Sequence, residues 1–451
     1  MIPRRLSALV LLIGLRALAA RPAEPLPWPP TLPGGKAIVT DTSAEFLKPG
    51  PKLRSGIAVA KATPMVDFAY FPVQTYEGRP WSVWGDSTVA GGKYYTSIGD
   101  HGGPPDRTPS GNAFVCVLDP AARTFRPIFE VRKALAPPAG HYCPGKIHGR
   151  LDLGRDGWLY LCTHRGTGAA TTDKYHYQGD WILRTHPATG KTEIVAHAPV
   201  AKHCIPASVL DADRLILYGG TAAGGDATDK RIAFFAYDVK ARKLLYAGPN
   251  GCARYFVLAR STGRVYYERT DDQCRPTGEL MRFDPATGGP PVAVGKCPGL
   301  RAATGETPQG FAYAVSSGQR AEAILWRLET KTEKIETLGP AAVASQHYIT
   351  TMDADATGRY VYYVPGAHGG SEGDGSPVVQ FDVQARTKKV IAFLYPFYRQ
   401  HYGYTPIGTF ATALSPKGDT LYVSWHGRRR ERGWDTCAVT VVHIPESERR
   451  P

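Results

Sequence analysis

Seven variants of one phrase run through this 451-residue chain and limit what it can fold into. The phrase is an apolar strand, an acidic or turn pair, a few polar residues, then a second strand. Its copies are VCVLDPAARTFRPI, ILRTHPATGKTEIV, FFAYDVKARKLLY, LMRFDPATGGPPVAV, LWRLETKTEKIETL, VVQFDVQARTKKVIAF and a degenerate VTVVHIPESE. The markers Asp119, His186, Asp238, Asp284, Glu329, Asp382 and Ile444 follow one another at intervals of 45 to 67 residues, as in propeller blades that carry insertions. A second hairpin precedes the copies, as in LDLGRDGWLYLC, LDADRLILYGG and MDADATGRYVYYV; WSVWGDSTVAGGKYYTSIGD supplies the first. β-Branched and aromatic residues alternate around Gly or Asp turns in these stretches. Two hairpins per repeat make a four-stranded antiparallel blade, so the reading is an all-β, seven-bladed propeller over 65–446. A Pro-rich N-terminal extension, 20–64, leads into it.

The first residues are of another kind. Arg4 and Arg5 precede an apolar run from Leu6 to Leu15, and Ala17-Leu18-Ala19 suits small-residue processing. The run is too short to cross a membrane and stay, so residues 1–19 read as a secretory signal peptide and the mature chain is expected to be secreted or periplasmic. No other stretch approaches membrane length. The net charge of +14 then favours acidic glycans as partners, with cell surfaces second and nucleic acid disfavoured by the export signal. The run Arg428-Arg429-Arg430-Glu431-Arg432, set between two apolar strands, reads as a solvated loop. Eight cysteines lie far apart without a CxxC, and 252, 274 and 297 are the expected source of a disulfide. Asp353-Ala354-Asp355-Ala356-Thr357-Gly358 opens like a calcium loop, but Val364 stands where the twelfth-position Glu should be, which leaves an ordinary turn.

In a propeller the innermost strands line the channel, and the loops at one mouth form the ligand surface. At such places stand His101, His148, His164-Arg165, His203-Cys204, Tyr218, Arg231, Arg254-Tyr255, Tyr266-Tyr267, His347-Tyr348, His368 and His426. In the segment GKIHGRLDLGRDGWLYLCTHRG (145–166), a hairpin about the Arg155-Asp156-Gly157 turn brings His148 and His164 to one rim. Aromatics stack on pyranose faces and Arg grips a carboxylate bidentately, so this mouth suits a sugar acid. Only Glu268 and Asp271-Asp272 come near it, which disfavours hydrolysis by paired carboxylates. The chemistry that uses His, Tyr and Arg alone is β-elimination at a uronate. A cation neutralises the carboxylate, a base takes the C5 proton and an acid protonates the departing oxygen, with no cofactor required.

The series His148, His164, Tyr218, Arg231, Tyr267 resembles the secreted seven-bladed propeller polysaccharide lyases that cleave ulvan, a sulfated algal glycan. The resemblance implies that Arg231 neutralises the uronate, with Arg254 as the alternative. Tyr218 and His148 would be acid and base, and His164 and Tyr267 would position the sugar, with Tyr266 the alternative to Tyr267. His101, Arg254 and His347 join them as substrate-binding candidates. The family also carries a structural zinc, for which His203, Cys204, Cys143 and His141 are candidate ligands here. Two rivals stand beside this reading. One is a non-catalytic propeller that binds acidic glycans or a surface protein. The other is a metal-dependent uronate lyase with His347, His368 and His426 around a divalent cation.

Overall fold

The computed structural model describes residues 28–76, 80–101, 109–319, 321–429 and 433–450. The expected export signal and residues 430–432 of the basic loop lie outside them. No helix of the described residues is long and apolar enough to cross a membrane.

Seven antiparallel sheets form the blades of a propeller. Blade one runs from Thr88–Ala90 to Thr124–Glu130 and blade two from Lys146–Ile147 to Thr192–His197. Blades three, four and five start at His203–Asp211, Val257–Ala259 and Ala302–Ala303. Blade six starts at Met352–Ala354 and blade seven at Thr405–Leu414. Each repeated phrase forms the third and fourth strands of its blade, as in Pro377–Asp382 paired with Thr387–Phe393. The last copy is degenerate for a physical reason. Its strand, Thr436–His443, has no successor in sequence, and Met65–Tyr70 from the other end of the chain supplies the missing partner.

The Pro-rich extension is part of the same body. Val39–Thr42 adds a fifth strand to blade seven, and Ala58–Val59 pairs in parallel with the outer strand of blade six. Apolar residues of neighbouring blades fill the seams between them. Tyr218, Phe234, Tyr267 and Phe283 do so between blades three and four. All eight cysteines are free thiols, so the disulfide expected among 252, 274 and 297 is not formed.

The seam that closes the ring holds charges. His443 Nε2 lies 2.9 Å from Asp67, and Thr40 and Arg123 also donate to that carboxylate. Burial pushes the Asp67 carboxyl up, but these hydrogen bonds outweigh it and hold the group below its ordinary value. Glu448 behaves alike. Burial is opposed by Lys389 and by the backbone N–H groups of Ala62 and Lys61, with a net shift downward. A carboxylate with a lowered folded-state pKa stabilises the fold above its unfolded pKa, about 4, and loses that contribution as pH falls through the folded value. Amide protection of Met65–Tyr70 is therefore expected to fall below about pH 4, ahead of His203–Asp211 in blade three. Asp67→Asn should flatten this pH dependence in hydrogen exchange.

Candidate functional site

The site is built from residues at, or just ahead of, the innermost strands, where several blades converge. A cavity is lined by Trp84, His148, Arg254, Arg301 and Phe410, among others. It shares Arg254, Tyr255 and Arg301 with an adjoining open recess, which adds His164, Arg165 and Tyr348. Local sequence explains why His148 reaches the cavity. Thr163 and His164 pair with Ile147 and Lys146, so the hairpin brings its two ends together, and the imidazoles of His148 and His164 meet edge to face at 5.1 Å. Gly149 lets blade three approach, since a Cβ there would lie 2.1 Å from Ser208 Oγ. That approach sets His148 Nδ1 2.7 Å from the Pro206 carbonyl. A carbonyl only accepts, so Nδ1 carries the proton and Nε2 keeps a lone pair. Burial, then Lys146 and Arg254, hold the imidazole well below its ordinary pKa and therefore neutral.

The mouth is cationic. Lys146, Arg165, Arg254 and Arg301 come together, and among the described residues none of the four has a carboxylate within ion-pair distance. Arg301 Nε donates to the Tyr348 hydroxyl at 2.7 Å, and its guanidinium stands 5.0 Å over that ring. Lys146 is buried with its ammonium 4.8 Å over Trp84; burial, against some opposing influence from Cys204, pushes it down to about 7. Trp84 also neighbours His101, His368, Phe410, His426 and Trp434, at ring distances of 4.7 to 5.8 Å. Beneath the cavity a buried web ties the blades across the channel. The Tyr255 hydroxyl donates to Asp86 at 2.5 Å and accepts from Arg150 at 3.3 Å. Asp86 also accepts from Thr351 and the Ser87 N–H, and Thr412 donates to Asp353.

Of the residues singled out in the sequence, His148, His164, Arg165, Arg254, Tyr255, Tyr348, His101, His368 and His426 meet at this mouth. Tyr218, Tyr267, Arg231 and His347 do not. Tyr218 is fully buried in the seam between blades three and four, and its hydroxyl donates to the Gly263 carbonyl at 2.9 Å. Burial drives that phenol far above its ordinary pKa, so it is a poor proton carrier. Tyr267 lies in the same seam, stacked 4.8 Å from Phe234, while Tyr266 points the other way and bonds Glu333. Arg231 stands on an exposed loop, clasped by Asp229 at 2.8 Å with Asp272 at 3.9 Å. His347 belongs to a separate cluster with Arg54 and Glu322. Sequence reasoning passed over Trp84, Lys146, Arg301 and Phe410. Their common signal is position, close before or on an innermost strand.

The metal candidates regroup in the same way. His203 bonds Thr221 at 2.7 Å and the Asp229 carbonyl at 3.1 Å, apart from Cys204. Cys204 instead joins His164 and Asp180, their ligand atoms all within 4.8 Å of one another. Among the described residues this is the only such trio, so His347, His368 and His426 form no three-ligand set. His164 Nδ1 is buried without a hydrogen-bond partner. Asp180, bonded by Thr163 and Tyr142, is pushed up to about 7 by burial, and burial lifts the Cys204 thiol to about 12. Nitrogen, oxygen and sulfur donors converging on one buried point fit a zinc-type ion.

Fold and site together define a seven-bladed β-propeller with an aromatic, cationic mouth over a plugged channel. No protein-family model and no curated protein matches the chain. Among solved structures it is similar to an oligogalacturonate lyase in complex with manganese, with a TM-score of 0.55 and 11% identity over 92% of this chain and 98% of that one. An oligogalacturonate lyase from Vibrio parahaemolyticus gives 0.53 and 9%, over 91% and 98%. A chain of the mitotic checkpoint complex gives 0.50 and 10%, over 98% and 100%. At such identities the likeness is one of fold.

Proposed function

We propose that this propeller is a secreted polysaccharide lyase that cleaves a uronate-containing glycan by β-elimination. The observation that carries the reading is the meeting of Arg254 and Arg301, unpartnered by carboxylate, with His148, whose Nδ1–H is committed to Pro206. His148 Nε2 takes the C5 proton. The C5–H electron pair becomes the C4–C5 double bond as the C4–O bond breaks, and the Tyr348 hydroxyl gives its proton to the departing oxygen. Arg254 and Arg301 hold the C6 carboxylate and stabilise the enolate-like charge. Arg301 also fixes the phenol, since its N–H donates to that oxygen and leaves the phenolic hydrogen for the leaving group. Arg254 and Arg301 thus take the part expected of Arg231, and Tyr348 that of Tyr218.

The test is ultraviolet absorbance with purified protein and a panel of uronate polysaccharides, ulvan and polygalacturonate among them, because elimination leaves a double bond conjugated to the carboxylate. Absorbance should rise, and His148→Gln should suppress the rise while glycan binding persists. Because His148 is neutral well below its ordinary pKa, the acidic limb of kcat/KM should lie below about pH 6.5. A flat trace across the panel with glycan retained would favour a binding module instead.

Within the same proposal, zinc is the ion that suits His164, Asp180 and Cys204, a thiolate-bearing set being poorly matched to manganese. Bound there it would serve as a structural ion joining blades two and three. These residues then brace the His148 hairpin from behind. Treatment with a chelator should lower the melting temperature and release one zinc per chain, and Cys204→Ala should abolish both responses.

A further inference from the structure

Phe410 touches both the cationic and the aromatic parts of the mouth: Arg301 stands 5.6 Å from its ring and Trp84 4.7 Å from it. Trp84 and the groups around it carry no step of the elimination just described, yet they include donors that lack acceptors. The Val83 N–H donates to His426 Nε2 at 2.8 Å, so the proton of that neutral imidazole sits on Nδ1. His426 is fully buried, and its Nδ1 has no hydrogen-bond partner. Trp84 Nε1, on the neighbouring ring, is likewise buried and unpartnered. The Lys146 ammonium over the Trp84 ring has no hydrogen bond or ion pair among the described residues.

Each buried donor without an acceptor costs about 1–3 kcal/mol, and the Trp84 and His426 N–H groups are two of them on neighbouring rings. Trp84 and His426 present only N–H groups there, and Lys146 in its ammonium form only donates. Among the described residues no carboxylate lies within hydrogen-bond or ion-pair distance of Trp84 Nε1, His426 Nδ1 or the Lys146 ammonium, so a cation would find no counter-charge there. An oxyanion is the ligand that would accept from such N–H groups and pair with the ammonium.

The geometry points to a second anion subsite at Trp84, Lys146 and His426, one aromatic ring away from Arg254 and Arg301. Its ligand is a sulfate ester or a second carboxylate carried by the same glycan. The inference rests on the uronate reading for its first subsite and adds the substrate class: a chain with two acidic groups, one for each subsite.

Equilibrium binding tests this without turnover. The probes are galacturonate, with one anionic group, digalacturonate, with two carboxylates, and a uronate disaccharide bearing one sulfate ester. At least one dianion should bind ten-fold or more tightly than galacturonate, and which one identifies the source of the second oxyanion. Lys146→Met and Trp84→Phe should bring the dianion down to galacturonate's affinity, whereas Arg254→Ala should weaken every probe. Trp84→Phe removes the N–H while keeping an aromatic ring in place, and an unchanged melting temperature separates the lost donor from a folding defect. Equal affinity for all three probes, or equal losses for all three in the Lys146 and Trp84 variants, overturns the subsite. A dianion advantage that persists in a protein with no ultraviolet product keeps the subsite and refutes the lyase.

Discussion

Arg254→Ala is expected to lower kcat/KM on a uronate polymer by about 10²–10³-fold while leaving the melting temperature unchanged or raising it. The two halves of that result come from one cause. Arg254 stands among Arg301, Arg165 and Lys146 with no carboxylate among the described residues to offset it, and burial and Arg301 together push its guanidinium below the ordinary value. Like charges so placed repel, and the folded protein bears that cost. Removing one relieves the repulsion and removes the grip on the substrate carboxylate together. Arg254→Lys should recover only part of the rate, because an ammonium keeps the charge but lacks the planar fork that holds a carboxylate at two points. Ultraviolet rates and thermal melts on the same samples test this. A variant that loses activity and several degrees of melting temperature together would mean that Arg254 serves the fold instead.

Asp86→Ala should be the most damaging single change to stability, costing about 3–5 kcal/mol. Asp86 is buried in the channel and accepts from Tyr255, Thr351 and the Ser87 N–H. Through Tyr255 it reaches Arg150, which also faces Asp152 at 3.5 Å. These residues come from separate blades, so one carboxylate ties the ring across its centre. Alanine leaves three donors unsatisfied and Arg150 poorly compensated, whereas asparagine keeps an acceptor for Thr351 and Ser87 and should cost less. Urea midpoints at a constant m-value would measure the difference. An alanine variant within 1 kcal/mol of the parent would show that the seams between blades hold the ring without the web.

The fold was legible because a hairpin's signature is local. Alternation and turn residues can be read within a dozen positions, and repetition corrects any one misreading. The strand at Met65–Tyr70 escaped this logic, since nothing local in MVDFAY names a partner at the far end of the chain. The site was partly legible. His148 and His164 come from a single hairpin, so their meeting follows from its register. Tyr218 and Tyr267 misled because a second strand has neighbours on both faces, and a residue in its middle points into a seam. Arg231 misled differently, since Asp229 two positions before it offers the nearest anion. Arg301 gave no such signal, standing before a two-residue strand, Ala302–Ala303, too short to register as alternation. What gathers the mouth is the circular placement of blades, and that is a property of the whole ring.

The pairing of Met65–Tyr70 with Thr436–His443 also sets an order of events during synthesis. On the order of 380 residues separate the two strands, and at roughly 5–20 residues per second a ribosome needs tens of seconds to deliver the second after the first. Throughout that interval the early strand has Val39–Thr42 on one side and an open edge on the other, and such edges recruit strands from other chains. The entropy of closing so long a loop grows only logarithmically with length, so the wait is a greater hazard than the distance. A nascent chain halted shortly before Thr436 holds most of its blades but no ring, and Met65–Tyr70 keeps one edge open to capture.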